Sequence, residues 1–205
     1  MRTFILAMSF NPTIQKQGQQ MVDAALGGRL PDFNDYGKVP CIDALINETL
    51  RWKPPLPLTI PHCSTEEDHC DGFYIPKGSI VVGNVCAILQ DEETYGPNTD
   101  LFNPQRFLTE TGELNKNLSA DAAFGYGRRQ CPGKAMAKEF MWMAITSILA
   151  TLDIHSAVGE DGVPLKPNVD YLPRGNINIP PPFKCSFEPR STQTRTWNED
   201  YTDEE

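Results

Sequence analysis

The sequence predicts a mainly α-helical domain with small antiparallel β-sheets, on three observations. Apolar residues recur with helical spacing in three segments, the longest of which runs from Pro132 to about Leu152. Short β-branched and aromatic runs flank a Pro-Lys-Gly turn at residues 76–78. Eighteen prolines and 15 glycines in 205 residues predict many turns between these elements. Because 40% of the residues are apolar, the chain can bury a core, and its length suits one domain.

Helix signals follow one another in the first quarter of the chain. Residues 4–10 indicate the last turns of a helix. Asn11-Pro12 predicts the start of the next helix, since Asn caps free backbone donors and Pro fits the first helical position. Gly27-Gly28 ends that helix by allowing a left-handed turn. Asp43 to Trp52 then predicts another helix, which Lys53-Pro54-Pro55 must end.

Strands and one long helix are predicted further along. Gly72 to Ile75 and Ser79 to Val82 flank a tight turn and predict two strands joined by it. Residues 91–123 form a long irregular connection, and such connections are often functional. The helix from Pro132 is apolar nearly all round, so we expect it to be buried. After Asp153, short strand-like pieces end in residues 183–187.

Composition and charge argue against several classes of protein. Eighteen basic and 27 acidic residues give a net charge of −9, which argues against a nucleic-acid partner. No run approaches the roughly 18 apolar residues that a membrane-spanning helix needs. The six cysteines show no disulfide-rich spacing and favour a reducing compartment. We expect one domain over residues 1–189, followed by a disordered acidic tail over residues 190–205.

The chemistry concentrates in a glycine-rich loop over residues 124–133, which places one cysteine at the start of the long helix. Positive partial charge at a helix N-terminus favours the thiolate of Cys131, the form that binds metals. The glycines allow close approach to a large flat ligand, and Arg128 and Arg129 can meet its anionic groups. A lone cysteine is more simply interpreted as a small buried apolar residue. The full spacing favours a ligand.

This spacing resembles the haem-ligating signature of the cytochromes P-450, F-x-x-G-x-R-x-C-x-G. Its fixed positions are matched by Phe124, Gly127, Arg129, Cys131 and Gly133. The resemblance covers nearly all of residues 4–190 and implies the C-terminal portion of the cytochrome P-450 fold, of fungal type. It also implies that Cys131 is the axial ligand to the iron of haem b and that the other four residues belong to the cofactor-binding loop.

Two upstream segments fit the same family. Glu48 and Arg51 lie three residues apart on one helix face, a spacing that alone indicates only a solvated pair. Residues 102–107 match the family segment F-x-P-x-R-F, with Arg106 as its arginine. The resemblance implies that Glu48, Arg51 and Arg106 form a buried salt-bridged triad that braces the loop of Cys131.

Two other segments resemble parts of the substrate pocket. Residues 54–62 resemble the stretch that passes beside the haem, and His62 takes the place of a basic residue that donates to a haem propionate. An exposed histidine at a strand end is an equal alternative. Asn176 to Ile179 falls where the family places another substrate-contacting turn. A rival hypothesis is a small zinc-binding interaction module, whose ligands would be His62, Cys63, His69 and Cys70. Because neighbouring residues on a strand face opposite ways, adjacent ligands seldom both point at one metal ion.

The family implies a haem-thiolate monooxygenase that inserts one oxygen atom of O2 into a small apolar substrate. Electrons would come from an NADPH-dependent reductase. Positive charge for docking is offered by Arg128, Arg129, Lys134 and Lys138, although a solvated rim explains these residues equally well. Family members of this kind sit at the endoplasmic reticulum membrane through an N-terminal anchor. We expect this chain, without that segment, to be cytosolic when expressed alone.

No segment matches A/G-G-x-D/E-T-T, the motif with which the family handles oxygen and protons. No catalytic residue is therefore assigned, and Thr3 does not inherit the oxygen-side role. We expect an N-terminally truncated chain that binds haem poorly when isolated, since half a pocket leaves one face of the cofactor wet. A catalytically silent truncated product is an alternative function.

Overall fold

The computed structural model describes residues 1–159, 162–165, 172–174 and 176–200. Within them the protein is mainly helical with small antiparallel sheets, which confirms the predicted fold class. The helices are α1 (Arg2–Phe10), α2 (Pro12–Leu26), α3 (Pro40–Trp52), α4 (Val85–Leu89), α5 (Glu92–Tyr95), α6 (Lys134–Thr151) and α7 (Thr192–Asp200). The strands are β1 (His62–Cys63), β2 (Asp68–Cys70), β3 (Phe73–Ile75), β4 (Ile80–Val81), β5 (Leu152–Ser156), β6 (Leu172–Arg174), β7 (Ile177–Ile179) and β8 (Cys185–Pro189).

One hydrophobic core lies between α1, α2, α3 and the second half of α6. The middle of α3 is buried on nearly every side, as a helix between several neighbours must be. At Gly18 of α2, an added Cβ would lie 3.2 Å from Cδ1 of Leu149 on α6, so the missing side chain lets the two helices approach closely. Fully buried core residues include Phe4, Ile42, Trp142, Ile145 and Leu149.

The helix boundaries follow local chemistry. α2 ends at Gly27, whose φ of +63° is the left-handed turn that the sequence predicts. α3 begins at Pro40, three residues before the predicted start, because proline fits the first turn of a helix. The side chain of Asn11 does not cap α2. Its Nδ2 donates to the carbonyl oxygen of Ala7 at 2.8 Å and so closes α1.

The predicted hairpin of residues 72–75 and 79–82 is wrong. β3 pairs with β2, and β4 pairs with β1, so the two strands belong to different sheets. The reason is that the backbone of Ser64 forms hydrogen bonds with residues of the turn between the two strands. The carbonyl oxygen of Ser64 accepts from Gly78 N at 3.0 Å, and Ser64 N donates to Ser79 O at 2.9 Å. The β2–β3 hairpin is therefore nested inside the β1–β4 pair.

The expectation that the whole long helix is buried holds only for its second half. Near the start of α6, Met136 and Phe140 are 73% and 66% exposed. α2 and α3 cover the later turns of α6, where Trp142, Ile145 and Leu149 are buried. In the part of the chain that the structure describes, no helix is long and apolar enough to cross a membrane.

The acidic tail differs from the expected disorder over Thr192–Asp200, which form α7. Ser191 and Thr194 cap its first turn, since Thr194 N donates to Ser191 Oγ at 3.1 Å and Ser191 N to Thr194 Oγ1 at 2.9 Å. Arg190, just before the helix, is bound by the carboxylate of Asp23 on α2. Residues 201–205 lie outside the described residues.

A buried glutamine on α2 forms hydrogen bonds with backbone groups of β5. Gln15 Nε2 donates to the carbonyl oxygen of Ile154 at 2.9 Å, and its Oε1 accepts from Ile154 N at 2.8 Å. Gln15 is 4% exposed, so water cannot replace these bonds. This side chain ties the helical core to the β5–β8 sheet.

We therefore expect Gln15→Leu to lower the free energy of unfolding by about 1 to 3 kcal/mol for each of the two backbone groups left unpaired. Gln20→Leu, an exposed position on the same helix, is the matched control and should change stability little. Urea unfolding followed by circular dichroism measures both variants. Equal stability of the two variants would contradict the bracing role of Gln15.

Candidate functional site

The structure brings the three predicted triad residues together around one carboxylate. Arg51 Nε lies 2.7 Å from Glu48 Oε2, and Arg51 Nη2 donates to Glu48 Oε1 at 2.9 Å, which gives a bidentate pair. Arg106 Nε lies 3.4 Å from the same carboxylate, and Asn103 N donates to it at 2.7 Å. The side chains of Glu48 and Arg51 have no exposed surface, and that of Arg106 is 7% exposed.

The remaining guanidinium donors of the triad hold the irregular segment after α4. A buried guanidinium must place every N–H on an acceptor, and here the acceptors are main-chain oxygens. Arg51 donates to the carbonyls of Leu89, Thr99 and Leu101 at 3.0, 2.8 and 3.3 Å. Arg106 donates to those of Tyr95 and Asn98. The long connection is thus fixed by its backbone.

Helix α3, which carries Glu48 and Arg51, also contacts the turn that precedes the cysteine loop. Asn47, next to Glu48 on α3, accepts a buried hydrogen bond from Ala120 N at 3.0 Å. The hydroxyl of Tyr95 on α5 donates to the carbonyl oxygen of Ser119 at 2.9 Å. A 3-10 turn, Asp121–Phe124, starts directly after these anchors. The triad and the entrance to the loop are therefore both attached to α3.

The cysteine loop closes on itself through its backbone. Cys131 N donates to the carbonyl oxygen of Phe124 at 2.8 Å, which brings the first and last parts of the loop together. Gly125 and Gly127 have φ values of +82° and +55°, which other residues adopt only with strain. α6 starts at Lys134 rather than Pro132, because Pro132 and Gly133 form a turn before it. Cys131 thus lies just outside the first turn of the helix.

Asp121 forms a link across the loop that the sequence analysis did not identify. Its Oδ2 lies 2.5 Å from Lys134 Nζ and its Oδ1 lies 2.5 Å from Lys138 Nζ. Burial alone raises the pKa of Asp121, but the hydrogen bonds from the two lysines outweigh it and hold the pKa below its ordinary value. The i, i+4 spacing of the two lysines could have indicated a shared acidic partner, but that partner lies in the turn before the cysteine loop rather than on the helix.

The matched residues of the signature occupy distinct environments. The Cys131 thiol is exposed. Phe124 is half-buried and packs against the core, while Gly127 and Arg129 are exposed. An added Cβ at Gly133 would lie 3.8 Å from Cys131 Sγ, an ordinary contact distance. Among the described residues, no hydrogen bond or ion pair engages the side chain of Arg128 or Arg129, so both guanidinium groups are available to a ligand.

His62 is exposed on β1 opposite Val81, and within the described chain no hydrogen bond or ion pair joins its side chain to residues 124–133. The zinc hypothesis fails on geometry, since three or more potential ligands do not come together anywhere in the described residues. The physical reason is that His62-Cys63 and His69-Cys70 lie on strands of two different sheets.

The two predicted pocket segments meet each other beside the loop. Asn178 N donates to the carbonyl oxygen of Pro55 at 2.8 Å, and Asn176 Nδ2 donates to that of Thr59 at 3.2 Å. Thr59 in turn accepts from Gly83 N at 2.7 Å. A Cβ at Gly83 would lie 3.2 Å from the ring of Tyr126 in the cysteine loop. These close contacts place both segments on one side of the loop.

The residues present fit a large, flat, anionic cofactor such as haem. Cys131 is exposed and carries the thiol that would bind the iron, and the exposed side chain of Tyr126 in the same loop offers apolar surface for a ring system. The exposed guanidinium groups of Arg128 and Arg129 suit carboxylate groups on its edge.

This donor set, with one cysteine sulfur presented by a glycine loop just before a helix, is typical of proteins that hold a metal cofactor through a single thiolate. The family model for cytochrome P450 matches residues 1–185. The chain therefore belongs to the cytochrome P450 family.

Curated relatives agree with this assignment. The chain is 46% identical over 190 residues to the cytochrome P450 monooxygenase eriA of Hericium erinaceus. It is 44% identical to a cytochrome P450 monooxygenase of Armillaria gallica over 190 residues, and to cytochrome P450 monooxygenase 98 of Postia placenta over 192 residues. Each match covers 92% of this chain. The chain spans 36% to 37% of the length of these relatives.

The triad geometry makes Glu48→Gln a destabilising change. The amide cannot neutralise two buried guanidinium groups, so we expect a loss of about 3 to 5 kcal/mol in the free energy of unfolding. Glu93→Gln, an exposed glutamate on α5, should cost little and serves as the control. Urea unfolding of both variants checks this, and a Glu48→Gln protein as stable as the control would contradict the burial of the charge.

The cysteines should differ sharply in their reaction with iodoacetamide. Cys131 is exposed and should be alkylated in the native protein. Cys41 is 6% exposed, and burial raises the pKa of its thiol to about 12, so it should stay protected at pH 8. Peptide mass spectrometry measures the extent at each site, with a urea-unfolded sample as the control. Protection of Cys131 equal to that of Cys41 would contradict the exposed loop.

Proposed function

We propose that Cys131 would hold haem b through its thiolate in a cytochrome P450 monooxygenase of apolar organic substrates. The observation that supports this most directly is the exposed sulfur of Cys131 in a loop whose backbone closes between Phe124 and Cys131. When bound, haem supplies the activation of O2 from which one oxygen atom enters the substrate. The chain itself supplies the ligand, the support beneath it and part of the pocket wall.

In this proposal each exposed group near the loop has a separate task. The guanidinium of Arg129 pairs with the cofactor's propionate groups, since a fixed fork of donors suits a carboxylate. His62 is a further propionate donor at the end of the segment 54–62. That segment and residues 176–179, which hydrogen-bond to each other, form one wall for an apolar substrate.

The proposed electron donor is an NADPH-dependent reductase, which would dock on positive charge beside the loop. Lys134 and Lys138 share the one carboxylate of Asp121, so one of their two positive charges is compensated within the chain. Arg128 is exposed and keeps its positive charge available. An acidic patch on a reductase would therefore meet Arg128 together with the remaining positive charge at the first turns of α6.

The test is a ferrous carbon-monoxide difference spectrum of the chain at saturating haemin. The unchanged protein should give a thiolate-type Soret band even if its affinity is weak, and Cys131→Ala should lose that band because no sulfur remains at the ligand position. Cys63→Ala and Cys70→Ala, which remove other exposed thiols, are the matched controls and should keep it. A thiolate band that survives Cys131→Ala would overturn the ligand assignment.

A further inference from the structure

We propose that Asp121 is a positioning residue for Cys131, because its one carboxylate joins the two ends of the cysteine loop. Asp121 opens the 3-10 turn just before the loop, and Lys134 and Lys138 lie in the first two turns of α6 just after it. The inference rests on the proposed role of Cys131 as the cofactor ligand. Neither the family match nor the signature assigns a role to this aspartate.

The geometry uses both oxygens of the carboxylate. Residues four apart on a helix share a face, so the ammonium groups of Lys134 and Lys138 reach the same acid. Each oxygen of Asp121 lies 2.5 Å from one ammonium nitrogen. The entrance to the loop is thereby fixed to two successive turns of α6, which restricts both the distance and the angle between them.

This cluster is better shielded than an ordinary surface ion pair. The side chain of Asp121 is 31% exposed, and those of Lys134 and Lys138 are 26% and 22% exposed. Isolated exposed pairs contribute little, whereas partly buried charges in a network interact more strongly. By comparison, Asp23 in its pair with Arg190 is 47% exposed and lies away from the loop.

Asp121 also connects the loop to the support on α3. Its neighbour Ala120 is bound by the buried side chain of Asn47, which is adjacent in sequence to Glu48. The contacts therefore run from the buried triad through Asn47 to Ala120, and from Asp121 to α6. Inside the loop, the contacts that join its first residues to its last include the bond from Cys131 N to Phe124 O and a long contact from Gln130 Nε2 to Gly125 O.

Groups that orient a metal ligand from outside the ligand shell typically change metal affinity by about 10- to 100-fold when they are removed. We expect Asp121→Asn to weaken haemin binding by about tenfold and to reduce the fraction of the thiolate-type Soret band. Asp121→Glu, which keeps the charge, should restore part of that fraction. Lys134→Met with Lys138→Met removes the same contacts without leaving two unpaired ammonium groups, so it should reproduce the effect of Asp121→Asn.

The decisive experiment measures hydrogen exchange of the backbone amide of Cys131 in the haem-free chain. Asp121→Asn should speed this exchange by about tenfold, since the loop opens more often when its ends are released. Asp23→Asn, which breaks the ion pair of Asp23 with Arg190 away from the loop, should leave it unchanged. Unchanged exchange in Asp121→Asn would overturn the inference, and Lys138→Met alone offers a milder variant if Asp121→Asn fails to fold.

The two proposals fail in different ways. If Cys131→Ala keeps the thiolate band, the ligand assignment is wrong and Asp121 positions no cofactor ligand, whatever the exchange rates. If Cys131→Ala loses the band but Asp121→Asn leaves either the exchange rate or the band unchanged, the ligand assignment stands and the role of Asp121 is refuted. Faster exchange together with a reduced band, partly restored in Asp121→Glu, supports both.

Discussion

The buried carboxylate of Glu48 is the constraint on which the rest of the site depends. A carboxylate without exposed surface is tolerable only when cations and hydrogen-bond donors compensate it, and here Arg51, Arg106 and the backbone N–H of Asn103 do so. Two guanidinium groups carry more N–H donors than one carboxylate can accept. The surplus donors must find other acceptors, so a single buried charge determines where the main chain of residues 89–101 passes.

The position of Cys131 follows from this constraint through a short series of contacts. α3 carries Glu48 and Arg51 of the triad, and its Asn47 binds the backbone of Ala120 in the turn before the loop. The turn leads into the loop, whose shape requires left-handed backbone at Gly125 and Gly127. The loop leads into α6, whose second half is anchored in the core by Trp142, Ile145 and Leu149. The sulfur is thus held between two buried supports while remaining exposed itself.

Local patterns predicted the parts of this arrangement that depend on neighbours in sequence. The ends of α2, the strand-poor helical fold and the signature around Cys131 each follow from residues a few positions apart. The pairing of the strands did not, because Ser64 diverts the backbone bonds of the 76–78 turn and nests one hairpin inside another. The role of Lys134 and Lys138 also needed the structure, since their acid lies 13 and 17 residues away in a loop.

Burial along α6 shows a further limit of what hydrophobic periodicity predicts. A helix that is apolar on all sides indicates that something covers it, but the pattern does not say which turns are covered by this chain. α2 and α3 reach the later turns and leave Met136 and Phe140 exposed.

The hydrogen bonds of Arg51 and Arg106 to the connection after α4 end on carbonyl oxygens, which every amino acid possesses. A substitution at the exposed Leu101 therefore leaves its acceptor in place as long as the backbone keeps its course. Recognition through the main chain thus places no demand of its own on the chemical nature of the side chains in this segment.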